Sequence, residues 1–410
     1  MSSQSANKLH VLFVTYDGLT DPLGQSQILP YLIQLNKRGF KISILSNEKA
    51  EGIKQNLSTI KKHLAKEKIN WRYVEYQNQP PIIGTLLNIG RMKKALNAWH
   101  QEEAFQAFHC RSIIPAMIAD KVRDEENEKL IFDIRGFWAD ERVEGGLWNL
   151  KNPIYSIMYR YFKGQERKLF AKANYIVSLT ENAKQHILTH FKSKGKVQVI
   201  PCAADLAHFD HQKLQAHHQE KLAAQLGIEK DEFVLAYIGS LGTRYKLKEM
   251  MRFFKLLLAL QPKAKFLFIS RHDPDYILQH AQIASIPKDR LVIQASSYQE
   301  IPQYIGLSHA SIFFIVTSFS GKAVSPTKQA EVMGMGLPIV ANTALGDTDL
   351  ILADSAVGIV VKDYEESSLK QAAKQLLDSN YQKERIRSEA IKRFSLESAV
   401  NRYMEVYENL

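Results

Sequence analysis

Apolar runs without alternation recur along the chain, and each reads as a strand buried on both faces. The first is Leu9–Tyr16, LHVLFVTY. A loop over Asp17–Gly24 follows, with two glycines and a proline. Then Ile28, Leu29, Leu32, Ile33 and Leu35 repeat at helical spacing until Gly39, after which ISIL starts a second strand. This is a βαβ unit. Between Glu48 and Gln106 the pattern is helical and Lys-rich, with Trp71–Val74 as a strand and Lys61, Lys62, Lys66 and Lys68 as a solvated face. LIF near Leu130 and NYIVS near Asn174 are further strands, and Thr180 caps the helix after the second of these. The later part repeats the rhythm with FVLAYIGS, KFLFISR, RLVIQAS and SIFFIV. It ends in a helix over Ser395–Leu410 that carries Val400, Tyr403, Val406 and Tyr407 on one side. Strands alternating with helices predict an α/β protein.

Length divides this rhythm in two, since 410 residues exceed one ordinary core and predict two domains of about 200 residues each. The net charge of +11 calls for an anionic partner. Nucleotide phosphates, an acidic membrane surface and a polyanionic glycan all qualify, whereas no RNP, helix-hairpin or zinc-finger signature points to nucleic acid. The opening MSSQSANKLH lacks the profile of a signal peptide, and no apolar run approaches the ~20 residues of a membrane span. Two cysteines, Cys110 and Cys202, fit a reducing cytoplasm and provide neither a disulfide framework nor a zinc site. The expected location is therefore cytoplasmic. The aromatic and basic helix Asn152–Lys172 reads either as a core helix with a solvated basic face or as a surface for anionic lipid at the inner face of the cell membrane.

Candidate chemistry sits in the loops after strands. Beyond SIFFIV, a Gly/Ser loop leads to Ser325-Pro326-Thr327-Lys328. Ser325 can cap a helix, and Pro326 fits the first turn, where its missing N–H costs nothing. Free backbone N–H groups, two hydroxyls and the lysine then meet at a positive helix end, a seat for phosphate. Glu331 lies one turn beyond Thr327 and can accept hydrogen bonds from sugar hydroxyls, while Gly334, Gly336 and Pro338 stop the helix. On caps alone the segment is an ordinary helix start. After FVLAYI, Gly239 opens a loop carrying Arg244 and Lys246, and Arg271 closes FLFIS; a guanidinium suits a diphosphate. In the earlier part, LIFD empties into a loop with Arg135, Trp138, Asp140, Glu141 and Arg142. At the carboxyl end of a strand this cluster is either a structural ion-pair network or an acceptor and catalytic site, with Asp140 and Glu141 as the carboxylates for acceptor hydroxyls or general-base help. His109, after Phe108, is either a satisfied core residue or a catalytic group. The Asp17–Gly24 loop is not GxGxxG, so a dinucleotide fingerprint is missing.

Pro326 to Pro338, containing EVMGMGLP, resembles the E-A-M-A-x-G-x-P segment of family 4 glycosyltransferases of the GT-B fold. The resemblance implies two Rossmann-like domains facing a central cleft: residues 1–203, on which the segment 390–410 packs back, and residues 204–389. Val199–Asp205 resembles the family's IPNGVD crossing, with Phe209 as its aromatic. By the same resemblance Glu331 binds the ribose of a nucleotide sugar, Ser325, Thr327 and Lys328 bind phosphate, and Ala323 stands where a second glutamate is usual. Ser240 and Tyr245 replace the arginine and lysine that follow the glycine equivalent to Gly239, which leaves Arg244, Lys246 and Arg271 as substitutes. Ser296 and Tyr298 lie in the nucleobase loop. Asp21–Gln27 resembles the first loop of a subgroup, in which Gly24 and Gln25 face donor or acceptor. Arg135 stands nearest the place of a functional histidine, with His109 on the preceding strand end. Neither cofactor nor metal is implied, and Asp273-Pro274-Asp275 and Asp347-Thr348-Asp349 are helix-start caps. The implied activity is metal-independent hexosyl transfer from a nucleotide diphosphate sugar to a glycan or lipid-linked saccharide, with retention, in bacterial surface polysaccharide synthesis. The rival readings are a nucleotide-sugar epimerase, a sugar phosphorylase, or a non-catalytic nucleotide-sugar or glycan-binding protein.

Overall fold

A computed structural model describes residues 9–77 and 80–410; the reading of MSSQSANK falls outside them. The chain forms two compact units. One runs up to Pro201 and takes back Leu396–Leu410; the other is Cys202–Ser395. The returning segment thus begins at Leu396, and the helix Lys383–Phe394 before it belongs to the second unit.

The first unit holds seven parallel strands: β1 (His10–Thr15), β2 (Lys41–Glu48), β3 (Asn70–Glu75), β4 (Ala107–Arg111), β5 (Lys129–Asp133), β6 (Tyr175–Ser178) and β7 (Lys196–Val199), in the order β3-β2-β1-β4-β5-β6-β7. The central strands β1 and β4 are buried along their whole length, and β1 accordingly reads as a continuous apolar run, whereas β4 carries His109 and Arg111. The order reverses between β1 and β4, and the register pairs Thr15 with both Ser46 and Arg111. The loops that follow these strands therefore open from one edge, where ligands of such sheets bind.

The second unit holds six parallel strands, β8 (Val234–Ile238), β9 (Lys265–Ile269), β10 (Leu291–Gln294), β11 (Ala310–Phe313), β12 (Ile339–Asn342) and β13 (Gly358–Val361), ordered β10-β9-β8-β11-β12-β13. Its core is aromatic, with Phe253 and Phe254 of the helix Leu247–Leu260 enclosed with Phe266 and Phe268 of β9. The strand expected over Ser311–Val316 stops at Phe313, because Ile315 bridges Tyr245 and gives its N–H to Asn342 Oδ1.

Two local readings change. The loop expected over Asp17–Gly24 is shorter: a helix covers Pro22–Gln27, so Gly24 and Gln25 lie on a helix. Of the acidic triplets, Asp273 caps through Asp275 N–H, whereas Asp347 takes the N-cap place without capping the helix through its side chain, and Asp349 binds Thr343 Oγ1 and Ala344 N–H. Thr180 caps as expected, accepting from Ala183 N–H, and Lys61, Lys62, Lys66 and Lys68 are all exposed. Among the described residues no helix is long and apolar enough to cross a membrane.

Candidate functional site

In the second unit the chain reverses between β8 and β11, and the helix Thr327–Gly334 starts from the segment after β11. Lys328, in its first turn, reaches back over the end of β8. Its ammonium lies over the rings of Tyr245, 4.0 Å from the centroid, and Tyr237, 4.3 Å away, and donates to Tyr237 Oη at 3.2 Å. Gly239 stands opposite with φ +99, and a Cβ there would lie 3.6 Å from Lys328 Nζ. Glycine at this position accommodates both a left-handed backbone and the lysine. Glu331 follows one turn later and acts electrostatically on Lys328, Tyr245 and Tyr298.

Burial opposes both charges. It lowers the Lys328 ammonium to about 7, against the attraction of Glu331, and raises the Glu331 carboxyl to about 7, against the attraction of Lys328. An acid and a base held away from their ordinary ranges at a topological switch point make this place the candidate ligand site of the unit.

The surrounding residues are placed as follows. Tyr298, after β10, stacks on His208 at 4.9 Å, and its carbonyl accepts from His208 Nε2 at 3.0 Å. Arg271 donates to Ser296 O at 3.2 Å, so guanidinium and nucleobase-loop candidate are joined. Lys246 rests over the Tyr364 ring at 4.4 Å, and Arg244 is exposed. Thr327 opens the helix. Ser325 departs from its expected place: Pro326 is the N-cap residue and no side chain caps the helix, because the Ser325 hydroxyl accepts from Cys202 N–H at 3.2 Å. Ala323 is enclosed in a short 3-10 turn.

The first unit arranges its polar groups differently. His109 is 1% exposed, with Nδ1 2.8 Å from Tyr407 Oη and Nε2 3.6 Å from Asp133. Asp133 also accepts from Tyr403 Oη at 2.8 Å and lies 3.7 Å from Arg135. Desolvation lowers the His109 imidazole, and the Arg135 and His109 charges hold Asp133 low despite its burial. His109 therefore stands enclosed in the core by Phe13 and the returning helix Leu396–Glu408, with Nδ1 hydrogen-bonded and Nε2 without a hydrogen-bond partner among the described residues. Arg135 occupies a left-handed turn, φ 51, beside Asp133. Asp140 is also enclosed, accepting from Tyr159 Oη at 2.7 Å and from Lys163 at 2.8 Å, and Lys163 bonds Glu166 as well. This part of the loop cluster is a structural ion-pair network. The carboxylate of Glu141 packs against Gly136, 2.4 Å from where a Cβ would stand.

Gly24 has a packing reason that sequence reasoning missed. A Cβ on it would lie 2.1 Å from Gly18 O, so the helix Pro22–Gln27 closes onto the loop after β1, and Gln25 donates to Thr20 O. Glu48, fully buried at the end of β2, fixes that loop by accepting from Leu19 N–H, Thr20 N–H, Thr20 Oγ1 and Ser46 Oγ. Its only signal was a carboxylate ending an apolar strand. Tyr237 was equally hidden, because an aromatic residue in a strand reads as core.

The comparisons agree with this architecture. Residues 218–393 match the model "Glycosyl transferases group 1" and residues 31–208 the model "Glycosyltransferase Family 4". No curated protein sequence matches. Among solved structures, a glycosyltransferase from Rickettsia africae is 18% identical with a TM-score of 0.71, covering 98% of each chain. Anabaena HepE in complex with UDP and glucose is 13% identical, with a TM-score of 0.66 over 98% of this chain and 99% of its own. WaaG, a glycosyltransferase involved in lipopolysaccharide biosynthesis, is 13% identical, with a TM-score of 0.65 over 97% and 99%.

Proposed function

Since the chain is a glycosyltransferase of GT-B type resembling family 4, we propose that it transfers a hexose from a nucleotide diphosphate sugar to a saccharide or lipid-linked saccharide. The observation that carries this reading is the half-buried pair Lys328 and Glu331 at the β8/β11 reversal. A diphosphate brings beside Lys328 a negative charge that offsets the burial of its ammonium, and ribose hydroxyls give Glu331 donors. Thr327 and the helix N-terminus add their N–H dipoles, with Arg244 on the exposed side and Tyr298 and Ser296 beside the base.

In the reaction the bond from the anomeric carbon to the diphosphate oxygen breaks, and its electron pair leaves on the nucleoside diphosphate. An acceptor hydroxyl oxygen forms the new bond and gives up its proton to the departing diphosphate. The charge that develops is on the leaving diphosphate, so a lysine and a helix end preorganised there lower the barrier without a divalent ion. HepE's bound UDP and glucose and WaaG's part in lipopolysaccharide synthesis favour a uridine donor and a surface glycan product, and the family's usual outcome is retention. The helix Pro153–Lys172 exposes Ile154, Ile157 and Tyr161 beside Arg160, which suits contact with an anionic membrane at the cytoplasmic face.

Thermal shift and calorimetry with UDP and UDP-glucose, with and without Mg²⁺, test the donor site. UDP at 100 times its Kd adds about 2.7 kcal/mol of stability, and Glu331→Ala removes the shift. Equal shifts in the wild type and in Glu331→Ala, or none with any nucleotide, sink the assignment.

A further inference from the structure

A second partly buried charge in the molecule is held mainly by aromatic rings. Arg142, near the end of the helix Trp138–Glu144, lies with its guanidinium 4.0 Å from the centroid of the Trp138 ring and 5.9 Å from that of Trp148. Its Nε is buried without a hydrogen-bond partner among the described residues. The groups that act on its charge are the phenols of Tyr76 and Tyr16 and the carboxylate of Glu141, and that carboxylate packs against Gly136. The neighbouring charges have ion-pair partners: Asp140 on Lys163, Asp133 beside Arg135, and, after β1, Asp17 on Arg111 at 3.0 Å.

The two phenols that act on Arg142 pack together, and one of them is fixed by hydrogen bonds. Tyr16 and Tyr76 meet edge to face at 5.8 Å, at the ends of β1 and β3. Tyr16 Oη accepts from Asn88 Nδ2 at 3.2 Å and is hydrogen-bonded by Thr85. Fully buried Asn88 is fixed in turn by both backbone polar groups of Gln77, so this orientation is built in. Asn88 thus fixes the place of the Tyr16 hydroxyl and supplies it with one donor. Trp138, Tyr16, Tyr76 and Arg142 are all half-buried, so the group faces solvent at the carboxyl edge of the sheet. Indole faces stack on sugar rings, and an unpaired guanidinium between phenols takes an oxyanion.

We propose that Arg142, Tyr16 and Tyr76 form a subsite for an oxyanion borne on a saccharide, and that the acceptor is therefore an acidic or phosphorylated sugar. This rests on the transferase reading for the word acceptor, while the binding itself does not need it. The charge of the anion completes the Arg142 pair, and the ring lies along Trp138. A carboxylate of a uronic acid and a phosphate on a sugar share this chemistry.

The test is tryptophan fluorescence of the full chain, two of whose four tryptophans are Trp138 and Trp148, titrated with methyl β-D-glucuronoside, methyl β-D-glucoside and glucose 1-phosphate. The expected result is a saturable change with an anionic sugar and none with the neutral glucoside. Arg142→Met should weaken it by ~10-fold or more and Arg142→Lys by less, since lysine keeps the charge but not the fork. Tyr16→Phe, which removes one hydroxyl from an otherwise intact wall, should weaken it by ~3-fold or more. UDP binding retained in Arg142→Met shows that the variant is folded. A response shared by glucuronoside and glucose 1-phosphate, or confined to one of them, identifies the source of the anion. Lys328→Met separates the two sites: a response lost there and kept in Arg142→Met overturns the proposal, because the sugar is then in the donor site. Equal response to glucoside and glucuronoside, no response to either anionic sugar, or full response in Arg142→Met overturns it too. Failure of UDP to bind the wild type strikes the donor reading alone.

Discussion

The two sheets carry charged groups at matching places, near the carboxyl edge of the strands beside the order reversal, and treat them in opposite ways. In the first unit His109, Asp133, Arg135, Tyr403 and Tyr407 close on one another through two hydrogen bonds and two ion pairs, while His109 Nε2, Asp133 Oδ1 and Arg135 Nε make no hydrogen bond among the described residues. In the second, Lys328 has rings and a phenol around it, and burial pulls the charge of Lys328 and that of Glu331 toward neutrality. Partnered charges keep their state and serve the fold; charges left to rings and distant attraction await a ligand. Identity of residue type does not separate the two cases, since a histidine and an aspartate are the sealed pair and a lysine and a glutamate the open one.

The largest effect should come from breaking the sealed side. Asp133→Ala leaves Arg135 without its buried carboxylate and should cost about 3–5 kcal/mol of stability by chemical denaturation, the usual loss when one member of a buried pair is removed. Donor affinity in the fraction that remains folded should change little. Stability unchanged within about 0.5 kcal/mol would show that the network is loose.

On the open side, Lys328→Met should leave stability at neutral pH intact or improve it, because the desolvated charge goes while the stem is kept. UDP affinity should fall by about 2–3 kcal/mol, roughly 30- to 150-fold. The same lysine makes binding pH-dependent. In the empty protein its pKa is lowered to about 7, below the unfolded value, so Lys328 weakens the fold as pH falls through the window from ordinary lysine values to about 7. The bound diphosphate restores the proton. Calorimetry near pH 8 in buffers of differing ionisation enthalpy should therefore read proton uptake on UDP binding, absent in Lys328→Met. Uptake that persists in the variant would move the titration to another group.

Periodicity made the fold legible because parallel strands buried on both faces are largely unbroken apolar runs, as in β1, β8 and β9. The site was legible where backbone dictates residue type: Lys328 and Glu331 sit on a helix whose start and stop, Pro326 and Gly336, are local signals, and Gly336 has the left-handed φ of +72 that ends such a helix. What stayed hidden depends on contacts distant in sequence. Tyr403 and Tyr407 read as the apolar side of a terminal helix, and only the fold brings their hydroxyls to Asp133 and His109. The same limit applies to Gly24, whose resemblance to a ligand-facing loop glycine coexists with a packing need against Gly18 that no local pattern announces.

Ser325 gives the smallest effect and the sharpest distinction, because it lies next to the open site yet belongs to the sealed kind. Its hydroxyl was expected to cap the helix and face phosphate, but it is spent on Cys202 N–H at 3.2 Å. Ser325→Ala removes the acceptor and leaves that N–H without its side-chain partner, so stability should fall by about 1 kcal/mol. UDP affinity should stay within about twofold, since backbone N–H groups of the helix start and Lys328 remain. Ser325→Thr keeps the hydroxyl and should restore most of the stability. A loss of UDP affinity larger than the loss of stability would return Ser325 to the anion seat and show that its bond to Cys202 yields when phosphate arrives.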